Sequence, residues 1–460
     1  MKKIFFTLIP IFILFFSLGV WLIVSESYLS RKIQNLVPQN VKDVLGVTFF
    51  AGPKLKKEIN FLRSELELVN SKLDKVSYQL RLKDNPSENI QNYISDKGSI
   101  SFKVKNYFLP YDINDNFYRD KTKGVKPFTS YIKKNGENIF IIFQSGKILY
   151  FKENDLNTDK LNFKEIRNNL RKEFVKGTEQ FVGIKGALIK DNHFYVTYTD
   201  IIKDTCYRTS IAKADLSYKE LKFESFLELD ECIERAGKLY SVEFGMWSQG
   251  GRMLDWGSDK ILFTTGNYSD LTVSQNLDSP FGKILEVNTK NGEYSVYSYG
   301  HRNPQGLLYL DAKNVLLETE HGTAGGDEIN KITKGVNYGY PISSYGNSTR
   351  KGFKYKKHAE HGFQEPIKYF KTSHPPTEIV EVPKSLINKD NYFFFNTLAA
   401  LKIVLVKIDK NFEKTEYLDE VYMDERIRDM MYLPNLNKFL IVQELSSNLG
   451  LLTITDSNLN

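Results

Sequence analysis

The spacing of hydrophobic and polar residues changes three times along the chain, and each change predicts a different kind of element. Ile4 to Val24, "IFFTLIPIFILFFSLGVWLIV", is uncharged and mostly bulky. At 1.5 Å per residue such a run of about twenty residues just crosses a hydrocarbon core of roughly 30 Å. It ends "GVWLIVSES", with large residues where a cleavage site wants small ones, so residues 1–25 read as an uncleaved transmembrane anchor, with a removed signal peptide as the alternative. Lys2 and Lys3 precede the run and Arg31 and Lys32 follow it, which leans the N-terminus toward the cytoplasm. The bulk of the chain is then expected outside the cytoplasm, periplasmic or extracellular.

A second pattern begins at Leu55. Apolar residues fall at Leu55, Ile59, Leu62, Leu66, Val69, Leu73, Val76 and Leu80, in alternating steps of four and three, which is a heptad seam. The seam predicts a coiled-coil helix over 54–84. An isolated helix this short is marginal in water, so the pattern predicts a homo-oligomer that shares the seam; a helix lying on the body that follows is the alternative. Asp84, Asn85 and Pro86 end it, and a linker runs to about Ser99.

Beyond residue 100 the helical period disappears. Short β-branched and aromatic runs take its place, bounded by Gly, Asn, Asp and Lys turns, as in "NIFIIFQSGKILYFKEND", "GALIKDNHFYVTYTD" and "KFLIVQELSSNLGLLTIT". Units of roughly 60 residues divide the body into about six, an arrangement that suits a closed all-β, six-bladed β-propeller over 100–460 better than a sandwich. The absence of a short repeat argues against a β-helix.

Composition adds two points. Lysine and arginine (63) are interleaved with aspartate and glutamate (56), without a basic block, so no nucleic-acid partner is expected. The two cysteines, Cys206 and Cys232, suggest one disulfide in an oxidising compartment, worth about 3 kcal/mol by loop entropy; two separate buried thiols are the alternative.

Chemistry concentrates between Tyr299 and Pro341. "GHRNPQG" sets a guanidinium and a carboxamide side by side at Arg302 and Asn303, a forked donor beside a mixed donor and acceptor, suited to carboxylates or quinone oxygens. "EHGTAGGDE" brings the glycines Gly322, Gly325 and Gly326 up to Asp327 and Glu328, the mixture of carbonyl and carboxylate oxygens that calcium takes.

"YGHRNPQGLLY" followed by "ETEHGTAGGDEINKITKGVNYGYP" resembles the signature of the glucose/sorbosone dehydrogenases, the soluble quinoprotein glucose and aldose sugar dehydrogenases. "SPFGKILEVN" and "ERIRDMMYLPNLNKFLIVQE" resemble further family segments in the same order, from about Ser130 to the C-terminus. The resemblance implies a six-bladed propeller that binds pyrroloquinoline quinone (PQQ) and calcium and oxidises a small sugar or alcohol. It places Arg302, Asn303, Arg426 and Arg428 on the cofactor and the carbonyls of Gly322 and Thr323 on its calcium. Glu328 and the backbone or ring of Tyr338 fall where the family has a second, structural calcium.

The departures from that pattern matter as much. Family members carry a histidine, the general base, just before a Gly-Gly-Arg turn. Here "MWSQGGR" puts Ser248 or a neighbour in its place, leaving His301 or His321 as displaced candidates. A fifth-blade lysine of the family is replaced near Ala399, with Lys402 as a substitute that could reach inward. Two expectations follow: a membrane-anchored PQQ- and calcium-dependent dehydrogenase, or a noncatalytic propeller that binds glycan or protein.

Overall fold

The computed structural model describes residues 90–110, 129–176, 181–203, 205–234, 245–348 and 354–459. The expected anchor (1–25) and coiled coil (54–84) lie outside these residues. Among the described residues no helix is long and apolar enough to cross a membrane.

The body is six sheets, antiparallel except where Glu220–Leu221 adds in parallel to Lys164–Asn168 at the edge of the first. Their innermost strands are Ser130–Asn135, Ile184–Lys190, Gly250–Asp255, Pro304–Leu310, Pro376–Glu381 and Ile427–Leu433, which open blades 1 to 6. Each innermost strand touches the next, and the sixth touches the first, so the ring is closed. Six hydrophobic clusters fill the wedges between neighbouring blades. Middle strands such as "NIFIIF" (Asn138–Phe143) and "YFFFNT" (Tyr392–Thr397) are therefore buried along nearly their whole length, and they read as continuous apolar runs because both faces meet another sheet.

Blade 6 holds both ends of the propeller. Asn448–Ser457 pairs with Ile100–Phe108, which in turn pairs with Ile90–Ile94. The outermost strand comes from the segment read as linker, and its residues are largely exposed. Cys206, on the third strand of blade 2, is bonded to Cys232 with Cα atoms 5.5 Å apart.

In blades 2 to 6 the innermost strand slips register near its start: between Ile184 and Gly186, Gly250 and Met253, Pro304 and Gly306, Pro376 and Ile379, and Ile427 and Met430. A bulge re-aims the side chains it carries, here Lys185, Arg252, Gln305, Glu378, Arg428 and Asp429. The consequence is visible in Arg252 of blade 3. Its Nη1 meets Glu378 of blade 5 at 2.8 Å and Asp429 of blade 6 at 3.3 Å, contacts that can be made only across the axis. Asp429 also accepts the Ile132 amide of blade 1 at 2.9 Å. This buried ionic brace ties the ring together from inside.

Candidate functional site

The loop from blade 3 into blade 4 carries His301, Arg302 and Asn303. Arg302 donates from Nη1 to the His321 carbonyl at 3.1 Å. Asn303 is nearly buried; its Oδ1 accepts the Gly250 amide (3.0 Å) and Gln305 Nε2 (3.1 Å), and its Nδ2 lies 3.2 Å from His321 Nδ1. Asn303 thus stitches blades 3 and 4 together and orients His321. The other ring nitrogen of His321 is 2.6 Å from the Pro376 carbonyl. A carbonyl only accepts, so Nε2 carries the proton and Nδ1 accepts from Asn303. Burial, with Arg302, Arg428 and Arg426 acting the same way, pushes the His321 ring down to about 3.

Arg302 thus bonds the His321 carbonyl, and the charges of all three arginines singled out in the sequence bear on its imidazole, although they come from blade 4 and blade 6. Arg426 and Arg428 stand two apart, on one side of the chain. Their Nε atoms donate to the two oxygens of Glu444, at 2.8 Å and 2.7 Å. Glu444 is wholly buried and also accepts from Thr129 at 2.6 Å. Burial alone would raise its carboxyl, but Arg428 and Arg426 outweigh burial and hold it at about 2. One carboxylate thus serves two guanidiniums, which leaves this group of three side chains with one positive charge in excess.

The glycine turn is built for close backbone approach. Gly326 has φ +71°, and a Cβ there would stand 2.0 Å from the Gly346 nitrogen. Asp327 is spent on holding this turn, accepting the amides of Gly322 at 2.9 Å and His374 at 2.6 Å. The Thr323 hydroxyl donates to the Asn347 carbonyl at 2.7 Å.

Beside the turn lies an acidic group whose extent the sequence reading missed. Glu320 pairs across the strands with Glu328, and Glu318 with Asn330, which puts all four on one face of blade 4. The three carboxylates are buried, and among the described residues no lysine or arginine pairs with them. His301 adds Nδ1 at 2.9 Å from Glu320, and ligand atoms of His301, Glu318 and Glu320 lie within 4.8 Å of one another. Glu318 Oε1 and Asn330 Oδ1 have no hydrogen-bond partner among the described residues. Burial, then the neighbouring Glu320, push Glu318 and Glu328 well above the carboxylate range. A small recess of about 10 Å³ opens here, bordered by Arg302, Glu320, Glu328, Tyr338, Tyr340 and Ser343. Tyr338 faces it as a core residue: its hydroxyl donates to the Lys331 carbonyl at 2.7 Å, and its ring stacks on His301 at 4.7 Å.

None of the candidate bases is free. Ser248 is 2% exposed and follows the turn Gly245–Trp247. The Gln249 amide is occupied by Thr199, Phe181 and Met246. His301 uses both ring nitrogens, on Ser298 and Glu320, as His321 does on Asn303 and Pro376. Lys402 does not reach inward: its Nζ is bonded to Glu420 and lies 3.7 Å from Asp96.

Comparison with known proteins agrees with this architecture. Aldose sugar dehydrogenase YliI of Escherichia coli K12 is 28% identical over 225 residues, which cover 44% of this chain and only 58% of that relative. The apo crystal structure of the soluble aldose sugar dehydrogenase of E. coli superposes with a TM-score of 0.58 at 19% identity, covering 76% of this chain and 99% of that one. The PQQ-bound aldose sugar dehydrogenase of Streptomyces coelicolor superposes at 0.53 with 18% identity, covering 76% and 98%. At these identities the structures show a shared fold. The family model described as Glucose / Sorbosone dehydrogenase matches residues 135–450, and with that match spanning most of the propeller the chain belongs to the glucose/sorbosone dehydrogenase family.

Proposed function

We propose that this chain is a PQQ- and calcium-binding propeller of the sugar dehydrogenase type, anchored in a membrane by residues 4–24 and facing out of the cytoplasm, whose mouth accepts a small sugar or alcohol. The observation that carries the reading is the set of three guanidiniums beside His321: Arg302 bonded to its carbonyl, Arg426 and Arg428 sharing Glu444, and, among the described residues, no other carboxylate paired with their side chains. Such an excess of forked donors suits an anionic, oxygen-rich planar ligand.

Bound at this mouth, PQQ would supply the acceptor for a hydride from the substrate carbon. The chain's own residues do the rest. Arg302, Arg426 and Arg428 would hold the cofactor's carboxylates and quinone oxygens, with Asn303 fixing the loop that carries Arg302. The Gly322 and Thr323 carbonyls would hold its calcium. The donor set beside Tyr338 suits a second hard cation: three buried carboxylates, an orphaned Glu318 oxygen and an orphaned Asn330 oxygen are costly without a positive charge. Glu328 would be its principal ligand.

No side chain at residues 246–249 takes a proton at neutral pH, and both displaced histidines are tied up. Sugar oxidation is therefore expected to be slow, with solvent as the proton acceptor. That same observation favours a second reading, a noncatalytic propeller that binds glycan or protein at its mouth. Both readings are tested by titrating the full chain with PQQ and calcium by visible absorbance, then following dye reduction over a panel of aldoses and alcohols. Stoichiometric binding with slow turnover supports the first reading, binding without turnover supports the second, and no quinone binding overturns the cofactor assignment.

A further inference from the structure

Lys185 is the second residue of the innermost strand of blade 2 and sits in the bulge between Ile184 and Gly186. Its path follows from two glycines. A Cβ on Gly186 would stand 2.3 Å from the Gly251 carbonyl, and a Cβ on Gly251 would stand 2.4 Å from Lys185 Cβ. Blades 2 and 3 close on each other there, and the Lys185 Cβ lies against Gly251, where the neighbouring strand has no side chain.

Five other buried or half-buried cations of the described residues have partners. Arg252 has Glu378 and Asp429; Arg426 and Arg428 share Glu444; Lys190 has Asp255 at 2.7 Å. Lys283 is capped by the carbonyls of Val273, Ser274 and Phe281. Lys185 is only partly exposed, yet no hydrogen bond or ion pair engages its ammonium among the described residues. The charge that bears on it is another cation, Arg428. A half-buried ammonium with no anion beside it, and with the charge of a guanidinium bearing on it, is open to a ligand that brings negative charge.

We propose that Lys185 is an anion-binding residue of the axial mouth, which with Arg428 holds an anionic group of the bound quinone cofactor. This rests on the reading that the mouth takes PQQ. It supplies from blade 2 the cationic contact that Lys402 of blade 5, bonded to Glu420 and near Asp96, does not provide. Burial, with Arg428 adding to it, pushes the free ammonium down to about 7, so in the empty protein Lys185 is an unusually nucleophilic amine at neutral pH. A bound anion restores its charge and shields it.

The test uses the full chain in mild detergent with PQQ and calcium as probes. Lys185→Met and Lys185→Gln should each raise the PQQ dissociation constant about tenfold or more, whereas Lys402→Met should change it less than about twofold. Independently of any variant, reductive methylation read by mass spectrometry should label Lys185 early at pH 7 without ligand and be suppressed by PQQ. If the unmodified chain binds PQQ while the Lys185 variants bind equally well and labelling of Lys185 is unaffected, this inference fails alone. If the unmodified chain binds no PQQ, the cofactor reading fails and takes the inference with it.

Discussion

Arg428 donates from Nε to Glu444 at 2.7 Å, and that carboxylate has no exposure to solvent. Glu444 also holds Arg426, so the geometry of both guanidiniums depends on one buried anion. Glu444→Gln should destabilise the fold by about 3 kcal/mol, as expected when one partner of a buried charge pair is removed, and urea unfolding monitors the loss. The pH dependence has a definite sign. The folded carboxyl is held at about 2, against roughly 4.3 in an unfolded chain. Its contribution is full above the unfolded value and is lost as pH falls from there toward 2; the glutamine variant should lack that part of the acid sensitivity.

His321 should behave as a neutral positioning group. With its ring pushed down to about 3 by burial and by Arg302, Arg428 and Arg426, it lies below the unfolded value of roughly 6.5. The stability linked to it is therefore present above that value and is lost as pH falls through the window down to about 3. Its imidazole signals in NMR should not titrate between pH 5 and 8. A midpoint inside that range would return His321 to the list of bases.

Removal of the Cys206–Cys232 bond should lower stability without touching the mouth. The cysteines are 26 residues apart, and a loop of that length constrains the unfolded chain by about 3 kcal/mol. Urea unfolding with and without a reductant measures the difference; a loss below about 1 kcal/mol would mean that the strands of blade 2 hold that loop unaided.

Calcium should raise the thermal midpoint by neutralising the blade 4 carboxylates. At a hundredfold excess over its dissociation constant, a native-state ligand adds about 2.7 kcal/mol. Differential scanning fluorimetry should show that increment in the unmodified chain and a diminished one in Glu328→Gln. An equal increment in both would remove Glu328 from the cation site.

The ring of sheets was legible because each blade's middle strands are continuous apolar runs between turn residues. The sixth blade's outer strand was not, since "IQNYI" is short and mostly exposed and gains its place only by pairing with Ile100–Phe108. At the site, Arg302 stood out beside Asn303 in "GHRNPQG", whereas Arg426 and Arg428 were placed there only by the family resemblance of "ERIRDMM". Glu444 did not stand out, because a single glutamate after a strand looks like any polar turn. The alternation in "VLLETEHG" did carry a signal, since Glu318 and Glu320 are two apart and share a face. Lys185 was hidden in "GIKGALIK", where a lysine reads as solvent-facing until a bulge re-aims it. The disulfide followed from cysteine arithmetic, with the pairing settled by the bonded cysteines of blade 2.

On the proposed function, the mouth keeps its cofactor contacts and lacks only a proton acceptor at position 248. Ser248→His, loaded with PQQ and calcium and assayed by dye reduction with an aldose, tests this most directly. The expected result is a gain of about a hundredfold or more over the unmodified chain, the usual scale of a positioned general base. A variant that binds the quinone as tightly as the unmodified chain and shows no gain would contradict the account.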